Sequence, residues 1–187
     1  MSKQCPCGSR RPFANCCEPY LKGISKGTNA GIKYAPTAEA LMRSRYTAFA
    51  LGDIDYLLAT HHIDYRSDAH TSLQQTIQTT QWLNLLVIDT QKGQRKDKTG
   101  TVEFVAAYRS KAPAKLSITL GNQKASATDS ENSPLNDIGQ LHEKSQFVRE
   151  GPQWFYTQGD LLPPYQPKRT QPCWCGSRLK FKQCHGK

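Results

Sequence analysis

Seven cysteines fall in two clusters, Cys5, Cys7, Cys16 and Cys17 near one end of the chain and Cys173, Cys175 and Cys184 near the other, with none in the 155 residues between. This is not the usage of a hydrophobic core. Superposed, the clusters read CPCGSRRPFANCC and CWCGSRLKFKQCH, identical at seven of thirteen positions. His185 stands where the first copy has Cys17, and Cys and His replace one another as zinc ligands. The odd number of thiols thus becomes two complete sets, one of four thiolates and one of three thiolates with an imidazole. Each suits a closed tetrahedral structural zinc site, with Zn–S near ~2.3 Å and Zn–N near ~2.0 Å. Protein fills every ligand position, which leaves no place for a catalytic water. A disulfide scheme leaves one thiol over, and redox-active thiols, including the adjacent Cys16 and Cys17, explain neither the duplicated spacing nor the histidine. Gly8 and Gly176 supply the freedom a tight Cys-x-Cys turn needs. Ser9 and Ser177 are expected to cap a short helix that delivers the last two ligands, and Phe13 and Phe181 to cover the ion.

The elements that must hold these sets divide by charge. The 187 residues, 37% hydrophobic, suffice for one substantial core and small appendages. The formal charge of +10 is uneven: residues 1–35 carry +5, residues 166–187 carry +6, and residues 36–165 carry -1. With thiolates bound to zinc, the ends become about +3 and +5 and the chain about +7. Any electrostatic partner therefore meets the termini rather than the body. No apolar run reaches the ~18 residues of a membrane helix, and the first residues lack the apolar stretch of a signal peptide. A soluble protein of the reducing cytosol is expected.

Between the clusters, Thr37 precedes a run of helical period that places Ala38, Leu41, Met42, Ala48 and Phe49 on one face, and Gly52 stops it. Arg45 projects into that apolar stripe, and Arg43 falls on the opposite side. Asp53 is expected to cap a second helix through Tyr56, Leu57 and Leu58, and Thr71 or Ser72 a third carrying Leu73 and Ile77. Strands are expected at Leu83–Ile88, Thr101–Arg109, Lys115–Leu120, Leu141–Val148 and Gln153–Thr157. Lys92–Lys98 reads as a charged turn and Gly121–Asp137 as a polar loop. Glu150 and Gly151 turn the last hairpin, where Trp154 and Tyr156 share a face. Helices first and strands after define an α+β fold.

Both cysteine segments, Cys-x-Cys-Gly-Ser with Cys-Cys or Cys-His following the second cysteine after eight intervening residues, resemble the SEC-C motif found at the carboxyl end of the SecA translocation ATPase. The stretches TAEALMRSRYTAFALGDIDYLLATHH, GTVEF and LHEKSQFVREGPQWFYTQGD resemble the bacterial YchJ family, in which a nuclear transport factor 2-like domain lies between SEC-C motifs. The resemblance implies a cone-shaped domain with a curved antiparallel sheet wrapping helices, at residues 36–165, with zinc modules at 1–35 and 166–187. It implies no settled activity. In SecA the module contacts the chaperone SecB and the ribosome, so a protein, ribosome or RNA partner is carried over from it. Family motifs usually read Cys-Gly-Ser-Gly-Lys; here Arg10 and Arg178 replace the second glycine.

Two functions follow. The leading one is a zinc-binding accessory or adaptor protein that docks through its two basic modules. The other is small-molecule binding or an enzymatic activity inside the cone, where Arg45, Tyr46, Trp82, Glu103 and Glu143 are the pocket candidates. An inward Arg45 needs an acid, and Glu103, beside Val105 and Ala107, or Glu143, on the Leu141 and Phe147 face, is expected to supply it. His61 and His62 are expected to cap a helix end, where a protonated imidazole suits the dipole. His142 alternates away from Glu143.

Overall fold

A computed structural model describes residues 3–25, 33–67, 69–111 and 137–187. Helices α1 (Glu18–Ser25), α2 (Ala38–Leu51), α3 (Ile54–Ala59) and α4 (Ala69–Thr79) precede strands β1 (Thr80–Lys92), β2 (Thr99–Ser110), β3 (Gly139–Glu150) and β4 (Gln153–Leu161). The strands form one antiparallel sheet in the order β1-β2-β3-β4. Bulges at Trp82/Asn84 and Val87/Asp89 in β1 and in β4 between Tyr156 and Gly159, opposite Ser145/Phe147, interrupt the register, and such insertions bend and twist a sheet.

Local chemistry sets the helix boundaries. The Thr37 side chain accepts the Ala40 N–H and starts α2, and Gly52 ends it in the left-handed conformation. Asp53 accepts the Tyr56 N–H and starts α3. The third expected helix begins at Ala69, ahead of Thr71 and Ser72, and Ser72 turns its hydroxyl back onto the Ala69 carbonyl. All four strands run longer than their apolar cores indicate, because ladder bonds continue through polar residues at both ends. The expected strand Lys115–Leu120 and all of the expected loop but Asp137 lie outside the described residues.

One face of the sheet packs on the helices. Leu85, Val102, Phe104, Ala106, Phe147 and Trp154 join Leu41, Met42, Tyr46 and Leu57 there, and the four N-terminal cysteines belong to the same buried cluster. The opposite face of β1 and β2 is covered too. Val105 and Ala107 pack with Trp174, Cys173, Cys175 and Cys184, flanked by Leu83, Leu86 and Ile88. The chain reaches that face by folding back after β4, where Leu162 N–H bonds the His142 carbonyl and Tyr165 exchanges two bonds with the Gln140 side chain.

The two cysteine modules are therefore built into the body. Helix α2 is clamped by the first of them: Arg43 donates to the Cys7 carbonyl at 2.9 Å while pairing with Glu39 at 2.8 Å, and Thr47 lies 3.8 Å from the Cys5 sulfur. Both modules meet strand β1 at adjacent residues. A Cβ on Gly8 would lie 2.6 Å from the Leu85 carbonyl oxygen, and one on Gly176 would lie 2.9 Å from the Asn84 Cβ. Glycine is required at both places by this approach as well as by a positive φ, 75° and 84°.

Candidate metal centres and internal cavity

The repeated sequence folds twice into the same small structure. Cys5 N–H bonds the Arg11 carbonyl and Cys173 N–H the Leu179 carbonyl, closing a tight hairpin that presents two cysteines. A single 3-10 turn, Phe13–Asn15 or Phe181–Gln183, then delivers Cys16 and Cys17 or Cys184 and His185. Ser9 and Ser177 do not cap these turns, which have no side-chain cap. Each hydroxyl instead accepts an N–H two residues on, from Arg11 or Leu179, and lies against a cysteine sulfur, at 3.1 Å from Cys16 and 3.4 Å from Cys184. The serine braces a ligand rather than a helix.

Cys5, Cys7, Cys16 and Cys17 bring their ligand atoms within 4.8 Å of one another, as do Cys173, Cys175, Cys184 and His185, so each set can hold a metal ion. A tetrahedron with metal–sulfur bonds of ~2.3 Å has sulfur–sulfur edges of about 3.8 Å. The Cys7–Cys16, Cys16–Cys17 and Cys175–Cys184 separations are 3.6, 3.9 and 3.5 Å. These separations suit ligands around an ion, and none of the thiols is in a disulfide. His185 offers Nδ1, 3.3 Å from Cys173 and 3.2 Å from Cys184, and its ring lies on Trp174 with centroids 4.4 Å apart. Four crowded thiols must share their protons: hydrogen bonding from Cys17 holds Cys5 down to about 3, while Cys5, Cys7 and burial drive Cys17 far up. A divalent cation bound by the four sulfurs would displace those protons together. Arg11 donates to Cys16 from outside, adding positive charge to the thiolate side.

The substituted glycines of the motif now have a physical meaning. Arg10 and Arg178 adopt φ of 61° and 66°, the left-handed region that favours glycine. Arg10→Gly is expected to stabilise the protein by about 0.5 kcal/mol, the relief of strain being partly offset by a more flexible unfolded chain. Arg10→Val should cost more than about 1 kcal/mol in the same denaturation experiment, because β-branching adds to the strain.

Between helices and sheet lies a cavity of about 260 Å³. Four of the expected pocket residues, Arg45, Tyr46, Trp82 and Glu143, line it, joined by His61, Ser145 and Tyr156. Glu103 does not. It lies on the opposite face of the sheet, where it bonds His142 Nε2 at 3.0 Å while His142 Nδ1 donates to the Pro163 carbonyl at 2.6 Å. The expected ion pair with Arg45 is likewise not formed by either acid. Arg45, only 7% exposed, donates Nη1 to the Leu57 carbonyl and to Thr60 Oγ1, both at 2.7 Å, and sits 4.7 Å over the Tyr156 ring. Helix ends and an aromatic face do the work assigned to a carboxylate. Burial lowers its pKa to about 10, against the longer-range pull of Tyr156, Tyr56 and Glu143.

Glu143 accepts the Ser145 hydroxyl at 2.6 Å, and burial raises its pKa despite that bond and the charge of Arg45. Gly159 makes the room, since a Cβ there would run into the Glu143 side chain. A glycine inside a strand was the one sequence signal for this approach. The folded state holds the Glu143 proton more tightly than the unfolded chain. That stabilisation is full below the ordinary value of 4.5 and is lost as pH rises through the raised native value. Glu143→Gln should therefore gain a few degrees of melting temperature over the wild type at pH 8 and little at pH 4. Equal shifts at both pH values would contradict the assignment.

His61 is not a helix cap. It follows Thr60, the C-cap of α3, contacts the Thr157 carbonyl with Nε2 and lies against Tyr156. Burial, followed by the charge of Arg45, lowers its pKa. His62 starts the 3-10 turn Ile63–Tyr65 by accepting the Asp64 N–H, and bonds Glu150 at 3.1 Å.

An α+β domain of this shape, with a four-residue ligand set at each end, defines a class: nuclear transport factor 2-like domains carrying SEC-C modules. Comparisons agree. Residues 37–159 match the model of the YchJ middle NTF2-like domain, and residues 1–19 and 169–187 match the SEC-C motif. The chain belongs to the YchJ family, also designated UPF0225. It is 37% identical to a UPF0225 protein of Photorhabdus laumondii over 100% of both chains, and 36% identical to one of Pectobacterium carotovorum over 100% of this chain and 99% of the relative. The solution structure of a SEC-C motif containing protein from Rhodopseudomonas palustris is similar at TM-score 0.62 and 28% identity, covering 86% of this chain and 100% of that one. A SEC-C motif containing protein from Psychrobacter arcticus shares the fold at TM-score 0.59, covering 98% and 96%.

Proposed function

We propose that this protein is a cytosolic small-molecule-binding protein whose two metal sites are structural zinc centres. The observation that carries this reading is the cavity, where a buried arginine, a buried carboxyl group and aromatic walls converge on space that the protein leaves free. Cys5, Cys7, Cys16 and Cys17, and Cys173, Cys175, Cys184 and His185, are the proposed ligands. Thiolate-rich tetrahedral sets favour zinc, and with no ligand position open the ion's contribution is to stability. Whether a bound molecule is also transformed rests on the same cavity, with Glu143 the group best placed to move a proton.

Native mass spectrometry of protein taken from its own cells tests the reading. The wild type should carry a small molecule that Leu73→Trp, which fills the cavity from α4, does not. Two zinc ions should accompany both proteins. A wild type that stays empty in every cell extract would overturn the reading.

The adaptor reading retains one specific support. Lys3, Arg10 and Arg11 on one module, and Lys168, Arg169, Arg178, Lys180 and Lys182 on the other, are exposed, so a protein, ribosome or RNA partner would meet a cationic surface. Such binding should weaken steeply with salt. Among the described residues no helix is long and apolar enough to cross a membrane.

A further inference from the structure

We infer that the cavity takes a neutral, planar, two-ring aromatic molecule whose lactam edge, a ring amide, sits between Arg45 and Glu143. The inference rests on the small-molecule reading above and adds the chemistry of the ligand.

Size comes first. A cavity of ~150 Å³ lined by apolar side chains accommodates benzene, so about 260 Å³ has room for two fused rings. The walls are aromatic: Tyr46, Phe49, Trp82, Phe104, Phe147 and Tyr156 all face the space. Tyr46 packs edge-on against Trp82 at 5.8 Å, and Phe147 against Tyr156 at 5.9 Å. Flat rings gain most from such surroundings.

The polar groups then select the edge. Arg45 spends Nη1 on Leu57 and Thr60, and its remaining N–H groups have no acceptor among the described residues. Glu143 takes the Ser145 hydroxyl on Oε1 and a hydrogen bond from Tyr156, and it makes no ion pair with Arg45. A buried cation and a buried acid thus face one cavity without touching. An anionic ligand would satisfy Arg45 and be repelled by Glu143; a cationic one would do the reverse. A group that accepts from the guanidinium and donates to the carboxylate side by side satisfies both, and the cis amide of a lactam does so in the plane of its ring.

The experiment is calorimetric titration of the full, metal-loaded chain with three probes of similar size: 2-quinolinone, a neutral lactam; quinoline, an acceptor alone; and 2-naphthoate, an anion. The lactam should bind at least tenfold more tightly than either of the others. That advantage should disappear in Glu143→Leu, and all binding should disappear in Leu73→Trp. Should Glu143→Leu fail to fold, the ranking of the three probes on the wild type decides alone. Naphthoate binding best, or quinoline equalling the lactam, would overturn the lactam edge and leave the cavity reading intact, provided Leu73→Trp abolishes the binding. Binding that survives Leu73→Trp lies outside the cavity and would overturn the proposed ligand. No binding by any probe would overturn the proposed ligand class, while the native mass measurement continues to judge the cavity.

Discussion

Cys7→Ala is expected to bring the protein close to global unfolding, with a fall in melting temperature of about 10 °C or more and the loss of one metal ion per chain. Cys7 is fully buried, and all four N-terminal ligands belong to the cluster that contains α2, Leu57, Phe147 and Trp154. Structural zinc supplies roughly 10–16 kcal/mol of apparent folding free energy in small fingers, against a total stability of about 5–15 kcal/mol for a whole domain. Retaining even a third of that coupling would make the substitution cost about 4 kcal/mol, and each kcal/mol moves the midpoint by about 2–4 °C in a chain of this size. Cys175→Ala should act differently. The C-terminal module covers the outer face of β1 and β2, so its release leaves the helix-facing core in place and exposes Leu83, Leu86, Ile88, Val105 and Ala107. Increased binding of a hydrophobic dye and association of chains are the expected signs. Equal effects of the two substitutions, or a Cys7→Ala protein that melts as the wild type does, would show that the modules do not share in the core as described.

Arg45→Ala is expected to cost about 3 kcal/mol in denaturant unfolding. Two terms compete. Burial of the guanidinium is unfavourable, which is why its pKa falls to about 10. Against it stand two charge-assisted bonds, each worth about 1.5–3 kcal/mol, and a desolvated contact with the Tyr156 ring worth about 2 kcal/mol. Alanine removes all three and leaves the Leu57 carbonyl short of a partner. Methionine at the same position refills the volume and relieves the desolvation, so Arg45→Met should cost less than half as much. An alanine variant as stable as the wild type would mean that the buried charge is sustained only for what it binds.

Much of this structure could be read from the residue string. The two ligand sets follow from the repeat, because Cys and His in register at both ends have no other economical explanation, and the caps at Thr37, Gly52 and Asp53 are local chemistry that tertiary contacts do not alter. The roles of Ser9 and Ser177 were hidden, since a hydroxyl beside a turn serves a helix end or a sulfur equally well in sequence. His61 looked like a cap because nothing in the string places Thr157 and Tyr156 against it.

The acid that accompanies Arg45 shows where the sequence stops. Alternation along β2 puts Glu103 with Val105 and Ala107 on one face and Val102, Phe104 and Ala106 on the other, and both faces are apolar. A strand with one wet face announces which side is inward; β2, buried under helices on one side and under the C-terminal module on the other, does not. The cysteine spacing alone determined that each end of this chain can hold a metal ion. Only the docking of the C-terminal end across the outer face decided that Glu103 belongs there with His142, and that Glu143 shares the cavity with Arg45.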